Sequence, residues 1–321
     1  MNKLTLISIG LSDAEDISLK ALQEAKDSDT LYAELYTTKI NTDTAELSQL
    51  TGKPVKKLKR QDLEEEAEKI IEEAKTKKVA ILVGGDALTA TTHLSLILEA
   101  KKQAIPTQVI HGSSILTAVA ETGLSPYHFG KLVTIPLPQE GEIRHPTTPY
   151  TVLTENLERS LHTLLLLDLD AEKGHHLTAN DAIKILLEIE TEEGKGVFKE
   201  NTLAIVAARL GSDSPTIKGG LVKNLLNQDF GSPSQVLIVP GQLHFVEEEA
   251  LKLLANISDE DLKQRAIYSE DLEVKTKKYI TGAEKVFEQL KLSPRSTAID
   301  EAVLKETLGY AKMYLSDADH Y

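Results

Sequence analysis

The sequence predicts an α/β architecture carrying a helical hairpin at its C-terminal end, and three observations predict it. Strand-length apolar runs alternate with amphipathic helical patterns as far as about residue 255, which is how helices covering a mostly parallel sheet are written in sequence. Gly123, Pro126 and Gly130 punctuate that series near its middle, so it divides into α/β domains over 1–124 and 125–255. Residues 256–321 carry helical spacing without intervening strands and read as an appended hairpin.

Leu4 to Ile9 reads as the first strand, and Asp16 as the N-cap of a helix with Leu19, Leu22 and Ala25 on one face. Thr30 to Leu35 is a second strand. Lys53-Pro54-Val55-Lys56-Lys57-Leu58-Lys59-Arg60 is a local basic run, read as a solvated strand edge leading into a helix start. A charged helix is expected from Gln61 to Lys77, with Ala67, Ile70, Ile71 and Ala74 at helical spacing. The strand Val79–Val83, a helix from Thr91 to Lys102 and the strand Thr107–Ile110 complete the first series.

The second series opens with a strand from Lys131 to Ile135 and a proline-rich loop from Pro136 to Pro149. A helix (Val152 to Arg159), a strand (His162 to Asp168) and a helix (Ala179 to Glu190) follow, then strands at Thr202–Ala208 and Gln235–Val239. In the tail, Ile280, Ala283, Phe287 and Leu290 share one helical face and Ile299, Val303, Leu308, Ala311 and Leu315 another, with Ser293-Pro294 as the break.

The chain has 321 residues, of which 41% are hydrophobic and 27% charged, an ordinary globular balance. It contains no cysteine, which excludes disulfides, thiolate metal sites and cysteine nucleophiles. A net charge of −14 argues against a general phosphate-backbone binder, so no direct nucleic-acid binding is expected. No signal peptide is read at Met1-Asn2-Lys3 and no apolar run reaches the ~20 residues of a membrane span. A cytoplasmic protein is expected.

Ligands of open α/β sheets bind beyond the carboxyl ends of strands. Four such ends stand out: Ser8-Ile9-Gly10-Leu11-Ser12-Asp13, Gly84-Gly85-Asp86, His111-Gly112-Ser113-Ser114-Ile115 and Arg209-Leu210-Gly211-Ser212. The Gly-Gly-Asp turn is neither a phosphate-binding P-loop nor a dinucleotide fingerprint, because the lysine and the third glycine are missing. Taken singly, each end is only a turn. The nine histidines are scattered, with His175-His176 the adjacent pair, and no metal site is expected. No Gly-x-Ser-x-Gly elbow is present.

Together, these segments resemble the diphthine synthases, of the tetrapyrrole methylase superfamily. The resemblance is carried by Ile9-Gly10-Leu11-Ser12-Asp13-Ala14-Glu15-Asp16, Tyr32-Ala33-Glu34-Leu35-Tyr36-Thr37, Gly85-Asp86-Ala87-Leu88-Thr89-Ala90-Thr91-Thr92-His93 and Val109-Ile110-His111-Gly112-Ser113-Ser114-Ile115. Leu177-Thr178-Ala179-Asn180-Asp181-Ala182, Ala208-Arg209-Leu210-Gly211-Ser212, Asp229-Phe230-Gly231 and Leu237-Ile238-Val239-Pro240-Gly241-Gln242-Leu243-His244 extend it, in order, to about residue 255. It implies a two-domain fold, usually homodimeric, with S-adenosyl-L-methionine bound in a cleft between the domains and S-adenosyl-L-homocysteine as product. The implied substrate is translation elongation factor 2, methylated on the amine of its amino-carboxypropyl-histidine during diphthamide synthesis. Positions matching the family's cofactor contacts are Leu11, Asp86, Thr89, Ser114, Ile115, Leu167, Leu210 and Gln235.

The chain departs from the family in three places. Ser8-Ile9-Gly10 replaces Gly-Leu-Gly, Gly84-Gly85-Asp86-Ala87 replaces Pro-Gly-Asp-Pro, and Gln235 stands where a histidine is common. The attacking amine must be neutral, so a nearby proton acceptor would help. Sequence leaves the catalytic residues unnamed. His111 is a candidate acceptor, with a structural role the stronger reading. The tail segments Lys277-Lys278-Tyr279 and Tyr314–Tyr321 resemble the start of a small archaeal helical domain lacking its final helix, which points to an archaeal source and a truncated fusion. Two alternatives stand: a methylase of this fold acting on a tetrapyrrole macrocycle, and a non-catalytic binding module that kept the fold, with the tail as its working surface.

Overall fold

The computed structural model describes residues 2–138, 145–171 and 173–266. Met1–Ile267 is one compact unit, built around two five-stranded sheets. The first half runs β1 (Lys3–Ser8), α1 (Leu19–Asp27), β2 (Thr30–Glu34), α2 (Thr44–Thr51), β3 (Val55–Leu58), α3 (Arg60–Glu64), α4 (Ala67–Ala74), β4 (Lys78–Val83), α5 (Leu94–Lys102) and β5 (Thr107–Ile110). Its strands are all parallel, in the order β3-β2-β4-β1-β5.

A parallel sheet is covered on both faces, so its inner strands read as unbroken apolar runs. Val79 to Val83 are each 0% exposed. Leu4, Leu6, Val79, Ile81 and Val83 meet Ile70, Ile71 and Ala74 of α4 and Leu96, Ile97 and Ala100 of α5. The alternate residues Ile7, Ile9, Ala80 and Leu82 meet Ala21 and Ala25 of α1 and Leu47 of α2 on the opposite face. The strand order places β1 between β4 and β5. Three carboxyl ends therefore lie side by side, from the central strand β4 to the edge strand β5, and crevices of such folds open beyond carboxyl ends.

Local chemistry sets several boundaries away from the expected ones. The N-cap of α1 is Ser18, whose Oγ accepts from Ala21 N at 3.1 Å, and not Asp16. Asp16 instead accepts from the N–H of Ser12 at 2.6 Å. The helix expected over 61–77 is two helices, interrupted where Glu64, Glu65, Glu66 and Glu68 crowd like charge onto adjacent turns. The helix α2 was not anticipated, although Asp43 caps its first turn and Gly52 ends it in the left-handed conformation. The basic run forms β3, an edge strand with Lys56 and Lys57 exposed, and then enters α3.

The second half runs α6 (Ile115–Ala118), β6 (Val133–Ile135), α7 (Thr148–Leu157), β7 (Thr163–Leu167), β8 (Leu169–Asp170), β9 (His175–His176), α8 (Ala179–Glu193), β10 (Leu203–Ala208), β11 (Thr216–Leu221), α9 (Val222–Leu225), β12 (Gln235–Val239), α10 (Phe245–Leu254) and α11 (Asp259–Gln264). The sheet order is β11-β10-β12-β7-β6, antiparallel except for β6 against β7. One face carries Leu164, Ile205, Val236 and Ile238 against Leu251 and Ala255. Val119 and Leu124, from the segment after β5, join that same cluster. On the other side α7 packs against β6 and β7, and α8 against β12.

Strand β11 was not anticipated, because Gly219-Gly220 lowers its strand propensity. Pairing along the whole of β10 holds it in the sheet. Helix α7 starts inside the stretch expected to be loop, since Pro149 sits in its first turn, where no backbone N–H is needed. Of the expected tail, α11 is described; the hairpin from Ile280 to Leu315 lies outside the described residues. Among the described residues no helix is long and apolar enough to cross a membrane.

Candidate functional site

The carboxyl ends of β1, β4 and β5 are joined by short-range bonds of their own. Gly10 and Gly85 exchange backbone hydrogen bonds, 3.3 and 2.7 Å long. Ser8 Oγ accepts from Ala87 N at 3.0 Å. Gly10 has φ +120°, and a Cβ there would lie 2.4 Å from Asp16 Cβ, so position 10 admits no side chain. Gly84 is tight through a side chain, since an added Cβ would fall 2.2 Å from Thr38 Cγ2. The loop after β2 therefore presses directly onto the Gly84-Gly85-Asp86 turn.

A cavity of about 500 Å³ opens at these ends, within the ~300–1,000 Å³ usual for small-molecule sites. Its wall combines Leu11, Gly85, Asp86, Thr89 and Ser114 from the first sheet's loops with Leu167, Ala207, Leu210 and Val236 around the second sheet. Leu11, Asp86, Thr89, Ser114, Ile115, Leu167, Leu210 and Gln235 all line this one cavity. They come from strand ends scattered across some 220 residues, and the fold brings every one of them together.

Asp86 is the most heavily bonded of them. Oδ1 accepts from Leu88 N at 3.0 Å and Thr89 Oγ1 at 3.3 Å. Oδ2 accepts from His111 Nδ1 at 2.8 Å and Gly112 N at 3.2 Å. Burial works against its charge, but the Leu88 N–H, the His111 imidazole and the Gly112 N–H outweigh that and hold the carboxyl below the usual carboxylate range. Asp86 is thus a fixed negative charge in the cavity wall. Ser114 caps α6 by accepting from Leu116 N at 3.1 Å. Gln235 is committed internally: Oε1 accepts from Ala179 N at 2.9 Å and Nε2 donates to Gly231 O at 2.7 Å. Its amide braces the wall, and its contribution inside the cavity is surface rather than hydrogen bonding.

Two parts of the site were missed from sequence. The first is the loop Thr37-Thr38-Lys39-Ile40-Asn41, which lines the cavity. It follows β2, so it too is a strand end of the kind that marks the other segments. The second is the bracing role of Arg209, a residue of the strand end 209–212 already singled out, whose guanidinium donates to Ser214 O, Phe230 O, Ser232 O and Thr216 Oγ1 at 2.6–3.2 Å. It ties the loop before β12 to the end of β10, and no sequence motif signals that. Ser234 Oγ donates to Lys39 O at 3.3 Å, linking the loops of the two halves beside the cavity.

Away from the cavity, His128, His162 and Glu247 place ligand-type atoms within 4.8 Å of one another. Gly241 N donates to His162 Nδ1 at 3.0 Å, so Nε2 carries the proton it directs to Glu247 Oε1 at 3.2 Å. Neither ring nitrogen then offers a lone pair to a metal. The adjacent His175 and His176 are exposed on the β8–β9 hairpin.

Similarity to known proteins agrees with this geometry. Residues 3–225 match the tetrapyrrole (corrin/porphyrin) methylases. The chain is 45% identical over 254 residues to a diphthine synthase of Methanocaldococcus jannaschii, covering 78% of this chain and 98% of that protein. It is 44% identical over 257 residues to a diphthine synthase of Methanosarcina acetivorans, covering 78% and 96%. A crystal structure of diphthine synthase superposes with a TM-score of 0.73 at 36% identity, covering 81% of this chain and 99% of that one. A putative diphthine synthase from Entamoeba histolytica gives the same TM-score at 34% identity, covering 79% and 99%. With the fold, the clustered strand ends and these relatives in agreement, the chain belongs to the tetrapyrrole methylase family, among the diphthine synthases.

Proposed function

We propose that the cavity binds S-adenosyl-L-methionine and that the protein methylates the amine of the amino-carboxypropyl-histidine intermediate on elongation factor 2, in diphthamide biosynthesis. The observation that carries this reading is the convergence of Leu11, Asp86, Thr89, Ser114, Ile115, Leu167, Leu210 and Gln235 on one cavity wall. The donor set suits the ligand. Leu11, Ile115, Leu167 and Leu210 offer apolar surface to a flat base, while the ionised Asp86 sets a negative charge in the wall that suits a cation. S-adenosyl-L-methionine supplies a methyl group on a sulfonium, leaving S-adenosyl-L-homocysteine. The protein's own task is to hold and align, for which model reactions allow ~7–11 kcal/mol of barrier reduction.

A tetrapyrrole bearing many carboxylates would favour a basic cleft. Here Asp13, Asp86 and Asp213 line the wall with Lys39 and Arg209, and the Arg209 guanidinium is committed to neutral acceptors. The amine substrate fits that balance better. The same reading carries a homodimer, a cytoplasmic setting, an archaeal source and a division into lobes at residue 124. Exposed Tyr127, Phe245 and Leu253 support the homodimer, which light scattering of the purified chain would test. The function itself is tested by incubating the protein with methyl-labelled S-adenosyl-L-methionine and elongation factor 2 carrying the unmethylated intermediate. Label is expected on the factor; cofactor binding without transfer would sink the substrate assignment.

A further inference from the structure

His111 is the side chain whose surroundings the binding reading leaves unexplained. It follows β5 directly, and its ring is 68% exposed although the carboxylate it bonds is buried. Because Asp86 is ionised, its Oδ2 has no proton to give, so the 2.8 Å contact requires His111 Nδ1 to be the donor. That bond selects one tautomer and orients the ring. Nε2 is left with a lone pair, and no bond to it is made by any described residue. Asp86 lines the cavity and His111 does not, so the imidazole stands one hydrogen bond outside the wall, with 68% of its side chain exposed. A substrate amine carried on another protein must arrive from solvent.

We propose that His111 is the general base of methyl transfer, oriented by Asp86, with Nε2 taking the proton of the substrate ammonium. The proposal rests on the amine-methylating reading above. In the step, an N–H bond of the ammonium breaks and its proton goes to Nε2. The freed lone pair forms the N–C bond while the C–S bond of the methyl donor breaks, its electron pair remaining on sulfur. The Asp86 carboxylate stabilises the imidazolium until the proton passes to water. Asp86 itself is unsuited to be the base, since both its oxygens already accept two hydrogen bonds. Asp13 is engaged as a cap, accepting from Glu15 N at 2.9 Å. Asp213 is a carboxylate in the same wall. An imidazole is the side-chain type suited to exchanging a proton with an amine under neutral conditions. Among the described residues Asp86 is the titratable group within ion-pair reach of His111.

The test separates proton transfer from simple support of Asp86. Asn carries an Nδ2 donor at about the place of the histidine Nδ1 and nothing at Nε2, so H111N keeps the bond to Asp86 and removes the base. Wild type, H111N and D213N are compared for label transfer to elongation factor 2 across neutral to alkaline pH, with S-adenosyl-L-methionine affinity measured by calorimetry. H111N should bind the cofactor as wild type does and lose roughly 10²–10⁴-fold in kcat at neutral pH. Its activity should rise with pH as the substrate deprotonates unaided, so the deficit shrinks and the acidic limb lies at higher pH than in wild type. Wild-type turnover by H111N at every pH overturns the proposal. So does a pH-independent loss accompanied by weakened cofactor binding, which would make His111 a positioning residue. The same displacement of the acidic limb in D213N, and not in H111N, would assign the base to Asp213. A wild-type protein that labels no elongation factor 2 removes the parent reading, and this proposal with it.

Discussion

Two histidine–carboxylate pairs, one in each half of the body, use the same functional groups at similar distances and end in opposite chemistry. His162 and Glu247 meet at 3.2 Å with side chains 0% and 5% exposed. His111 and Asp86 meet at 2.8 Å with side chains 68% and 8% exposed. The difference lies in the second ring nitrogen. His162 Nδ1 accepts the Gly241 N–H, and Glu247 also holds Ser125 N at 2.8 Å and His244 N at 2.9 Å. That pair is a closed knot joining β7, the loop after β12 and the start of α10. In the other pair one nitrogen is committed and one is open. A histidine's role is thus set less by its carboxylate partner than by what its far nitrogen meets.

A third pair lies between these extremes. His93 Nδ1 lies 3.2 Å from Ala87 O. Its buried Nε2 makes no hydrogen bond, standing 3.5 Å from Glu34 Oε2. Glu34 accepts from Tyr36 N and Thr37 N at 2.8 Å each. The pair couples the loop after β2 to the far end of the Gly84–His93 turn, both of which shape the cavity wall.

The sharpest way to break the comparison is to delete each ring or its partner. His162→Ala should lower unfolding stability by about 3–5 kcal/mol, the cost of removing a buried ring. His111→Ala should leave the melting transition nearly where it was. Equal losses in a chemical denaturation series would erase the distinction. Next, Asp86→Ala should weaken S-adenosyl-L-methionine binding by ~1.5–3 kcal/mol, roughly ten- to hundredfold in Kd, because it removes a charge and its bonds. Unchanged affinity by calorimetry would refute that assignment.

The smallest effect is on acid sensitivity. Burial pushes the His162 imidazole below its ordinary value, with Glu247 opposing. The unfolded chain, with a histidine near 6.5, then binds protons before the folded one. Stability is complete above about that pH and is lost as pH falls through the depressed folded value. Burial opposes the charge of Glu247, but the His244 and Ser125 N–H groups and His162 lower its carboxyl, which adds a second loss further into acid. Melting temperature should therefore fall on acidification, and less so in a His162→Phe variant. A variant with an unaltered pH slope would place the acid sensitivity elsewhere.

Much of this architecture is legible because it is written locally. The apolar run Val79–Val83 and the alternation through β1 and β4 follow from burial of a parallel sheet on both faces. The strand-end rule by itself picks out the segments holding Leu11, Asp86, Ser114 and Leu210. Thr37 to Asn41 escape because their loop follows β2 without the glycines that mark the other ends. Asp16 misleads because an aspartate before a helix suits either a cap or a loop anchor, and Ser18 lies two residues closer. Strand β11 and the Arg209 clamp escape for another reason. A Gly-Gly strand and an arginine bonded to four acceptors acquire their roles only from distant neighbours.

The sequence by itself determined the α/β class, the order of most elements and the family, since periodicity and matching strand ends are properties of short segments. Only the tertiary structure decided which ring nitrogens stay free, which polar side chains are spent on bracing, and that His128, His162 and Glu247 meet at all. Those outcomes depend on hydrogen-bond partners far apart in the chain, 122 residues between Ser125 and Glu247 and 195 between Lys39 and Ser234. Chain pattern sets which residues are buried; the packed backbone sets what each buried or half-buried polar atom finds when it arrives.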